Sequence, residues 1–392
     1  GDQSMSHHAF PIQPDPAFPE AEHRERLARA RGALAEAKLD AVVCVAPEHL
    51  YYLAGFDGHT HFQLQALVFG TTKDPTLIFR DTDIVNAGEF SWVSDMRVYH
   101  HGVQDPISLI VDAAREHAGP GGRIGVCFDS FALPGAAALR LNAALGGDVA
   151  DATNLIERLR FRKSARELDY MRKAGAIAEA GRSALRQAVA DGATEMELAG
   201  AIEHAMRLAG TEYPAMPTWF STGPRTSGGH RMPTMRKLQR GEPVKAEFAG
   251  VHRRYHSVTI QTLWFGQPSQ AATETYDAVL HAFRAACEKI KVGNPTAAAE
   301  DAAFSEYQRR GLDVGVHARM GCGISAAYPP SWIEGYDITR ESGERFQADT
   351  TFLIHTHMRS ADGYVVLVGG TYALTESGLE CLAGGDLELT VI

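Results

Sequence analysis

A repeated order of elements in the second part of the chain restricts its fold more than any other feature. Two predicted helices followed by strand-like segments occur once, ending in "VTIQTLWFG", and then again, ending in "YVVLVGG". In each copy the second helix is bounded by glycines at the same spacing, Gly192 and Gly210 in the first and Gly293 and Gly311 in the second. A duplicated unit of this kind predicts two halves packed about a pseudo-twofold axis, with a pocket between them.

The residues before the repeat have the pattern of a separate domain. Short buried strands are predicted for "AVVCVA", "PTLIFR" and "RIGVCFD", separated by Gly, Pro and Asp residues. The repeat itself begins at a capping box formed by Ser164 and Glu167, which marks the start of a long helix. A chain of 392 residues is also longer than one ordinary core requires. We therefore predict an α/β (α+β) fold, with a mixed α/β N-terminal domain at residues 1–160 and a pseudo-twofold domain at residues 161–392.

Composition limits the kinds of binding partner and the cellular compartment that we expect for this protein. The formal net charge of −10 argues against a nucleic-acid surface and against an anionic membrane surface as the partner. The sequence has no run of about 18 apolar residues that could span a bilayer. Its five scattered cysteines, without a CxxC pair, are typical of free thiols in a reducing compartment, so we predict a cytoplasmic protein.

Glu247 is the first residue that could carry chemistry, because it is a lone acid in the apolar run "VKAEFAG". A carboxylate on a buried strand is costly unless it is paired or its pKa rises. Three roles are open from the residues alone: a nucleophile, a metal ligand, or an ion-pair partner for Arg253 or Arg254. His230, in the loop "STGPRTSGGHRMP", is a candidate for proton transfer, with a simply solvated loop histidine as the alternative.

Two further segments contain candidate site residues. His355 and His357 are two positions apart on a predicted strand, which places both rings on one face, either as ligands or as a packed pair. In "RMGCGISAAYPPSW", glycines flank Cys322 on both sides, and Tyr328 and Trp332 supply aromatic walls. A buried, inert cysteine is the alternative for Cys322.

The order of these segments resembles that of the creatinase, prolidase and aminopeptidase P superfamily over nearly the whole chain. The resemblance implies the pseudo-symmetric pita-bread fold for the C-terminal domain, and it implies a homodimer. Within the superfamily, "AGVHRRYH" and "YPPSW" are most similar to the ectoine hydrolase branch, which opens a cyclic amidine without a metal. "GFDGHTHFQLQALV" is similar to the loop that such dimers extend toward the active site of the neighbouring chain.

The same comparison of motifs indicates where this chain departs from the metallopeptidases of the superfamily. Those enzymes hold two divalent ions with two Asp, one His and two Glu residues, an oxygen-rich set that suits such ions. The matching positions of this chain are Glu247, Val258, Cys322, a position at or near His355, and Gly369 or Gly370. At most one of the four carboxylates is retained, so we expect no dinuclear metal site and no cofactor.

The resemblance therefore implies a metal-independent hydrolase that cleaves a C–N bond in an amidine, guanidine or amide-like group. Its substrate is expected to be a small polar compound, cationic or zwitterionic. Glu247 matches the carboxylate nucleophile of ectoine hydrolase, and His230 matches the active-site histidine of the superfamily. The residues expected to contact the substrate are Phe56, Asp57, His59, Phe62, Gln65, Tyr255, His256, Arg319, Cys322, Tyr328, Trp332, His355 and His357.

Two alternatives are open at the level of the sequence. A mononuclear metalloenzyme, either a hydrolase or a lyase, would use Cys322, His355 and His357, with Glu247 as a further candidate ligand, on zinc or iron. A protein like the Xaa-Pro peptidases that kept the cleft and lost its activity would only bind a small molecule.

Overall fold

The structure is a computed structural model that describes residues 11–312 and 320–392. The chain divides into two units, Gly1–Arg160 and Phe161–Ile392. None of the helices within the described residues combines the length and the apolarity that spanning a bilayer requires.

The first unit is a six-stranded mixed sheet with helices on both faces. Its strands are β1 (Ala41–Cys44), β2 (Ala66–Gly70), β3 (Thr76–Arg80), β4 (Asp95–Tyr99), β5 (Ile124–Val126) and β6 (Ala150–Asp151). Its helices are α1 (Glu20–Glu36), α2 (Pro47–Ala54), α3 (Ile84–Phe90), α4 (Pro106–Ala118), α5 (Gly135–Ala144) and α6 (Glu157–Arg160), with a 3-10 turn at Asp81–Asp83. The strand order is β4-β3-β2-β1-β5-β6, and β1 pairs antiparallel with β2 and parallel with β5.

Burial on both faces explains why β1 has an uninterrupted apolar sequence. Val42 and Cys44 pack in the same core as Leu27 and Leu34 of α1, whereas Val43 packs on the opposite face in the core that α4 covers. A strand covered on both sides has no solvent face on which polar residues would alternate. The predicted mixed α/β N-terminal domain is therefore present.

The second unit is an antiparallel sheet covered by two helix pairs. Its helices are α7 (Ala165–Ala188), α8 (Glu195–Leu208), α9 (Gln270–Lys289) and α10 (Ala297–Arg309), with a 3-10 segment at Gly223–Ser227. Its strands are β7 (Trp219–Thr222), β8 (Glu242–His252), β9 (Tyr255–Phe265), β10 (Gly321–Tyr328), β11 (Ser331–Ile338), β12 (Thr350–Arg359), β13 (Val365–Thr375) and β14 (Gly378–Ala383). The strand order is β11-β10-β12-β13-β9-β8-β7, and β14 pairs with β13.

The predicted repeat is confirmed, with α7, α8 and the hairpin β8–β9 in one half and α9, α10 and the hairpin β12–β13 in the other. Capping boxes begin both helices of the first half, at Ser164 and at Thr194. The halves meet where β13 pairs with β9, through Gly369 opposite Ile260 and Gly370 opposite Thr259. This junction between equivalent strands is what a pseudo-twofold pita-bread domain requires.

The same junction explains two glycines of β13. A Cβ at Gly369 would lie 2.5 Å from the Ile354 carbonyl oxygen, and a Cβ at Gly370 would lie 2.2 Å from that of Ala383. Side chains are therefore excluded by the backbone at both positions. Neither position can therefore supply a side-chain ligand to a metal.

Candidate active site

A cavity of about 390 Å³ lies in the second unit, lined by β7, β8, β12 and β13 and by the loop after the 3-10 segment. Its apolar wall is formed by Trp219, Phe220, Ile260, Met358, Val365 and Leu367. Its basic, acidic and histidine side chains are His230, Arg231, Lys245, Glu247, His355, His357 and Arg359. The cavity thus combines an apolar surface with a small set of convergent polar groups, which is typical of a small-molecule site.

Glu247 lies in the middle of β8, opposite Trp219 of β7 on one side and Ile260 of β9 on the other. It lines the cavity and is the only carboxylate to do so among the described residues. Burial raises the pKa of Glu247 to about 7, and the nearby charge of Lys245 acts in the opposite direction. Glu247 is partly exposed within the cavity, and a carboxylate with a raised pKa in such a place is a candidate for nucleophilic catalysis.

The arginines that follow Glu247 in sequence are not its partners. Arg253 and Arg254 form the two-residue turn between β8 and β9, both with positive φ, roughly 17 Å along the strand from Glu247. The carboxylate of Glu212 accepts hydrogen bonds from both of their backbone N–H groups. The Arg254 guanidinium is buried and donates to two backbone carbonyls, each at 2.7 Å. The ion-pair role that the sequence left open for Glu247 is therefore wrong.

Lys245 is the site residue that the sequence analysis missed. It lies two positions before Glu247 on β8, so both side chains extend from the same face of the strand into the cavity. Its Nζ donates to the carbonyl oxygens of Thr226, at 2.6 Å, and Gly228, at 2.8 Å. Burial lowers the pKa of Lys245 to about 8, the charge of Glu247 raises it, and Arg231 and Arg359 lower it further.

His230 lies on the loop that Lys245 holds. The loop is anchored by buried Glu195 of α8, whose carboxylate accepts from the backbone N–H groups of Thr222, at 2.8 Å, and Thr234, at 2.9 Å. His230 itself has a φ of +51° and is exposed, and its ring lies 4.3 Å from the Trp219 ring. Because Trp219 is the strand neighbour of Glu247, the imidazole and the carboxylate flank the same indole.

His355 and His357 of β12 both line the cavity, so the prediction that their rings share one face is confirmed. Both are partly buried. They contribute polar groups to the wall that faces β8. Either ring could contact a bound substrate.

Trp332 supports the cavity from a second layer. Its indole is buried and lies edge-on to Trp219 at 5.6 Å between ring centroids. Trp219, in turn, is in contact with His230. Trp332 therefore does not line the cavity, although it fixes the ring that does.

Three residues predicted to contact the substrate make their interactions outside the cavity. His256 is buried, and its Nε2 accepts a hydrogen bond from the Ala215 N–H at 2.9 Å. Its Nδ1 therefore carries the proton, which it donates to the Arg254 carbonyl oxygen at 2.7 Å. The Tyr255 hydroxyl donates to Glu167 at 2.6 Å. The Tyr328 ring is buried and lies 4.9 Å from the Arg254 guanidinium. These side chains stabilise the hairpin ends and lie outside the cavity lining, so the sequence assignment of substrate contacts to them is corrected.

Cys322 is also outside the cavity lining. It is buried on β10 opposite Leu353 of β12, and a Cβ on the preceding Gly321 would lie 2.2 Å from the Leu353 carbonyl oxygen. The flanking glycine therefore serves close strand packing and not access to the thiol. Arg319, another predicted contact, lies outside the described residues.

The segment of the first unit that resembles a dimer loop, residues 56–65, contains both buried and exposed side chains. Phe56 is 1% exposed and stacks on Phe79 at 5.5 Å, and Gln65 is 3% exposed, so neither can extend toward another chain. Their assignment as substrate contacts is corrected. Phe62, by contrast, is 72% exposed, His59 is exposed and Asp57 is partly buried.

The described residues of the cavity do not assemble the carboxylate-rich set that the metallopeptidases of the superfamily use. Among the described residues, no three His, Cys, Asp or Glu side chains of this cavity bring their ligand atoms within 4.8 Å of one another. The position that would hold a second acid is Val258, a fully buried apolar residue. The charged neighbours of Glu247 are cations, which oppose binding of another cation. The proposed Cys322, His355 and His357 site is not assembled either.

Sequence reasoning found the acid and the histidines of the cavity but not its cations. Arg231, Lys245 and Arg359 all line it, and no ion pair joins Arg231 or Arg359 to a described carboxylate. One signal was available, because a lysine two positions from a buried acid on a strand must share its face. The positions of Arg231 and Arg359 depend on loop and sheet geometry that no local pattern specifies.

Family models match nearly the whole chain in two parts. The model for the creatinase/prolidase N-terminal domain matches residues 26–162. The model for metallopeptidase family M24 matches residues 169–378, which is more than half of the chain.

Individual relatives are named for different enzymatic activities. An ectoine hydrolase from Halomonas elongata is 27% identical over 399 residues, which cover 97% of this chain and 100% of that protein. A Xaa-Pro dipeptidase from Lactobacillus helveticus is 24% identical over 350 residues, 88% of this chain and 93% of that one. The crystal structure of dipeptidase PepE from Mycobacterium ulcerans superposes with a TM-score of 0.84 at 27% identity, covering 96% of this chain and 99% of that one.

Proposed function

The chain belongs to metallopeptidase family M24, and from that premise we propose that it is a hydrolase that cleaves a non-peptide C–N bond without a metal. The bond belongs to an amidine, guanidine or amide-like group of a small compound. Similarity to ectoine hydrolase over 97% of the chain supports this reaction class. The observation that carries the proposal is Glu247, the one carboxylate among the described residues of a cavity that three cations also line, with its pKa raised by burial.

In the proposed mechanism Glu247 is the nucleophile. One carboxylate oxygen forms a bond to the electrophilic carbon, and the C–N bond breaks as the nitrogen receives a proton from His230. The amine then leaves. His230, now neutral, takes a proton from a water molecule whose oxygen attacks the covalent intermediate. The carboxylate of Glu247 is released and the products carry the elements of one water.

Lys245 serves two purposes in this mechanism. Its charge favours the ionised form of Glu247 against the cost of burial. Its hydrogen bonds to the Thr226 and Gly228 carbonyls hold the loop that carries His230. Nucleophile and proton carrier are thus connected through one buried ammonium group.

The charge of the cavity favours a substrate with an anionic group. Three cations line it against one carboxylate, and the guanidinium groups of Arg231 and Arg359 have no ion-pair partner among the described residues. A substrate carboxylate would pair with them and direct its C–N group toward Glu247. We therefore favour a zwitterionic or anionic compound over the net-cationic compound that the sequence left open.

Metal independence rests on the residue types at the cavity. Among the described residues a lysine and two arginines line the cavity with one acid, and valine and glycine stand where further carboxylates would be needed. We derive no step that passes through an ion. Activity is therefore expected to persist after metal removal.

The test is an assay of the purified chain against ectoine, creatine and Xaa-Pro dipeptides, each with and without a strong chelator. Hydrolysis of a cyclic amidine or a guanidine, unchanged in chelator, would support the proposal. Hydrolysis of dipeptides alone would favour the peptidase activity named for the Lactobacillus helveticus relative. Activity that is lost in chelator and restored by added Zn²⁺ or iron would overturn metal independence.

A further inference from the structure

A second cluster of reactive side chains lies in the first unit, far in sequence from every residue used above. Cys44 is the last residue of β1, Cys127 directly follows β5, and His49 is in the first turn of α2. Because β1 and β5 are parallel neighbours, with Val43 opposite Val126, the two cysteines follow at one edge of the sheet. One ligand atom from each of the three residues lies within 4.8 Å of the others.

The spacing of the two sulfur atoms, which forms a thiol–thiol hydrogen bond without an ion, also fits a metal site. Cys44 Sγ and Cys127 Sγ are 3.9 Å apart. Two thiolates at about 2.3 Å from a tetrahedral zinc ion are separated by about 3.8 Å. A disulfide, with an S–S bond of about 2.0 Å, would require the strands or side chains to move.

His49 supplies an independent observation. Its side chain is 6% exposed, yet its Nδ1 has no hydrogen-bond partner among the described residues. A buried polar atom without a partner calls for an explanation, and a bound ion is one of the accepted explanations. Neutral imidazole and thiolate are the ligand types that zinc and similar borderline-soft ions prefer.

We propose that Cys44, His49 and Cys127 bind one zinc-class divalent ion within the first unit. On binding, the two thiols release two protons, and the ion forms bonds to two thiolates, one imidazole nitrogen and one water molecule that completes the tetrahedron. The charges of a divalent ion and two thiolates cancel, so the occupied site is neutral. A neutral cluster suits the apolar core that Cys44 and Cys127 share with Leu27 and Leu50, and without a net charge it does not repel Arg160, the cation whose charge acts on His49.

This ion has a structural role and is independent of the proposed function. It lies in a different unit from Glu247, and no step of the hydrolysis uses it. A chelator that strips it is expected to lower thermal stability without abolishing turnover at temperatures where the chain stays folded. Failure of either proposal therefore leaves the other intact.

The test uses the full chain, reduced and stripped of metal, titrated with Co²⁺ as a spectroscopic probe for zinc. One equivalent per chain is expected to give near-ultraviolet sulfur-to-cobalt absorption and visible bands of a low-symmetry site, both displaced by Zn²⁺. Cys44→Ala and Cys127→Ala should each remove at least half of the sulfur-to-cobalt absorption. His49→Gln should keep those bands and weaken Co²⁺ affinity by about tenfold or more.

Cys381→Ala is the matched control, because Cys381 is an exposed cysteine of the second unit. It should bind Co²⁺ like the wild type. Circular dichroism of each variant separates loss of the site from loss of the fold, and His49→Gln keeps the test valid if a cysteine variant unfolds. Absence of Co²⁺ uptake by folded, reduced wild type would overturn the proposal. Full sulfur-to-cobalt absorption in Cys44→Ala would overturn it too. So would formation of a Cys44–Cys127 disulfide in place of metal uptake.

Discussion

Lys245 and Glu247 lie two positions apart on β8 and extend into one cavity, where each stabilises the charged form of the other. Burial opposes both charges, lowering the pKa of Lys245 to about 8 and raising that of Glu247 to about 7. The form with both groups charged is therefore dominant only in a narrow interval near neutral pH. The two titrations are coupled, so the limits of this interval belong to the pair.

The first prediction concerns the dependence of activity on pH. We expect kcat/KM to rise up to about pH 7 as Glu247 ionises and to fall above about pH 8 as Lys245 loses its proton. In Lys245→Arg the guanidinium stays charged, so the fall above pH 8 should disappear. In Lys245→Met the rise should move to higher pH, because Glu247 loses a favourable charge.

Lys237, an exposed residue, provides the control for these substitutions, and Lys237→Met should keep the wild-type profile. The measurement is kcat/KM on whichever compound of the assay panel is hydrolysed. An unchanged profile in both Lys245 variants would show that this ammonium does not act on Glu247.

The second prediction concerns stability. The carboxyl of Glu247 binds its proton more tightly in the folded than in the unfolded chain, since its pKa rises from 4.5 to about 7 on burial. The group therefore destabilises the fold once it ionises, and wild type should lose stability as the pH rises from about 4.5 to about 7. Glu247→Gln has no such titration. The free energy of unfolding of the variant relative to wild type should increase by up to about 3 kcal/mol over this interval.

Urea denaturation at several pH values gives this difference directly. Glu274→Gln, at an exposed position of α9, is the control and should show no change with pH relative to wild type. A Glu247→Gln variant that becomes less stable relative to wild type between pH 4.5 and 7 would mean that the charge of Lys245 outweighs the cost of burying Glu247, and it would contradict the prediction.

The repeat and the start of each helix could be predicted from the sequence because they depend on local patterns. The Ser164 and Thr194 capping boxes are formed by residues three positions apart, and the strand segments by continuous apolar runs. Glu247 was recognisable for the same reason, as a lone acid within such a run. These features need no knowledge of how distant segments pack.

The remaining site residues depend on packing between distant segments, and there the sequence was less informative. Tyr255 and His256 are close to Glu247 in sequence, but the turn at Arg253–Arg254 carries them to the far end of the hairpin. Arg359, more than a hundred positions away, reaches the cavity because β12 lies beside β13, the strand that pairs with β9 and so joins the two halves. Phe56 begins a segment whose aromatic and polar residues are typical of a recognition loop, yet its ring packs on Phe79.

The third prediction concerns oligomeric state. We propose a homodimer in which the exposed part of the Phe56–Gln65 loop contacts the neighbouring chain, because Phe62 is 72% exposed and an apolar ring of this size gains from being covered. Phe62→Asp should shift the protein toward monomer in light scattering coupled to size exclusion. Phe131→Asp, at an 81% exposed position of the same unit, should leave the dimer intact. A wild-type monomer at micromolar concentration would contradict the proposal.

The fourth prediction tests whether Glu247 and His230 act in one mechanism. Glu247→Gln keeps the shape of the side chain but removes the attacking anion, so turnover should fall by roughly four or more orders of magnitude while the fold and substrate affinity are retained. His230→Ala should also lower turnover, by roughly a hundredfold or more, because the leaving nitrogen is no longer protonated. The double variant should be little worse than Glu247→Gln alone, since groups that serve the same steps fail together. Additive losses, measured as kcat on the same compound with binding checked by calorimetry, would show that the two residues act independently. Near-normal turnover in Glu247→Gln would exclude covalent catalysis by this carboxylate.

Trapping the intermediate by rapid acid quench should place the added mass on the peptide that contains Glu247 in wild type and on no peptide of the variant.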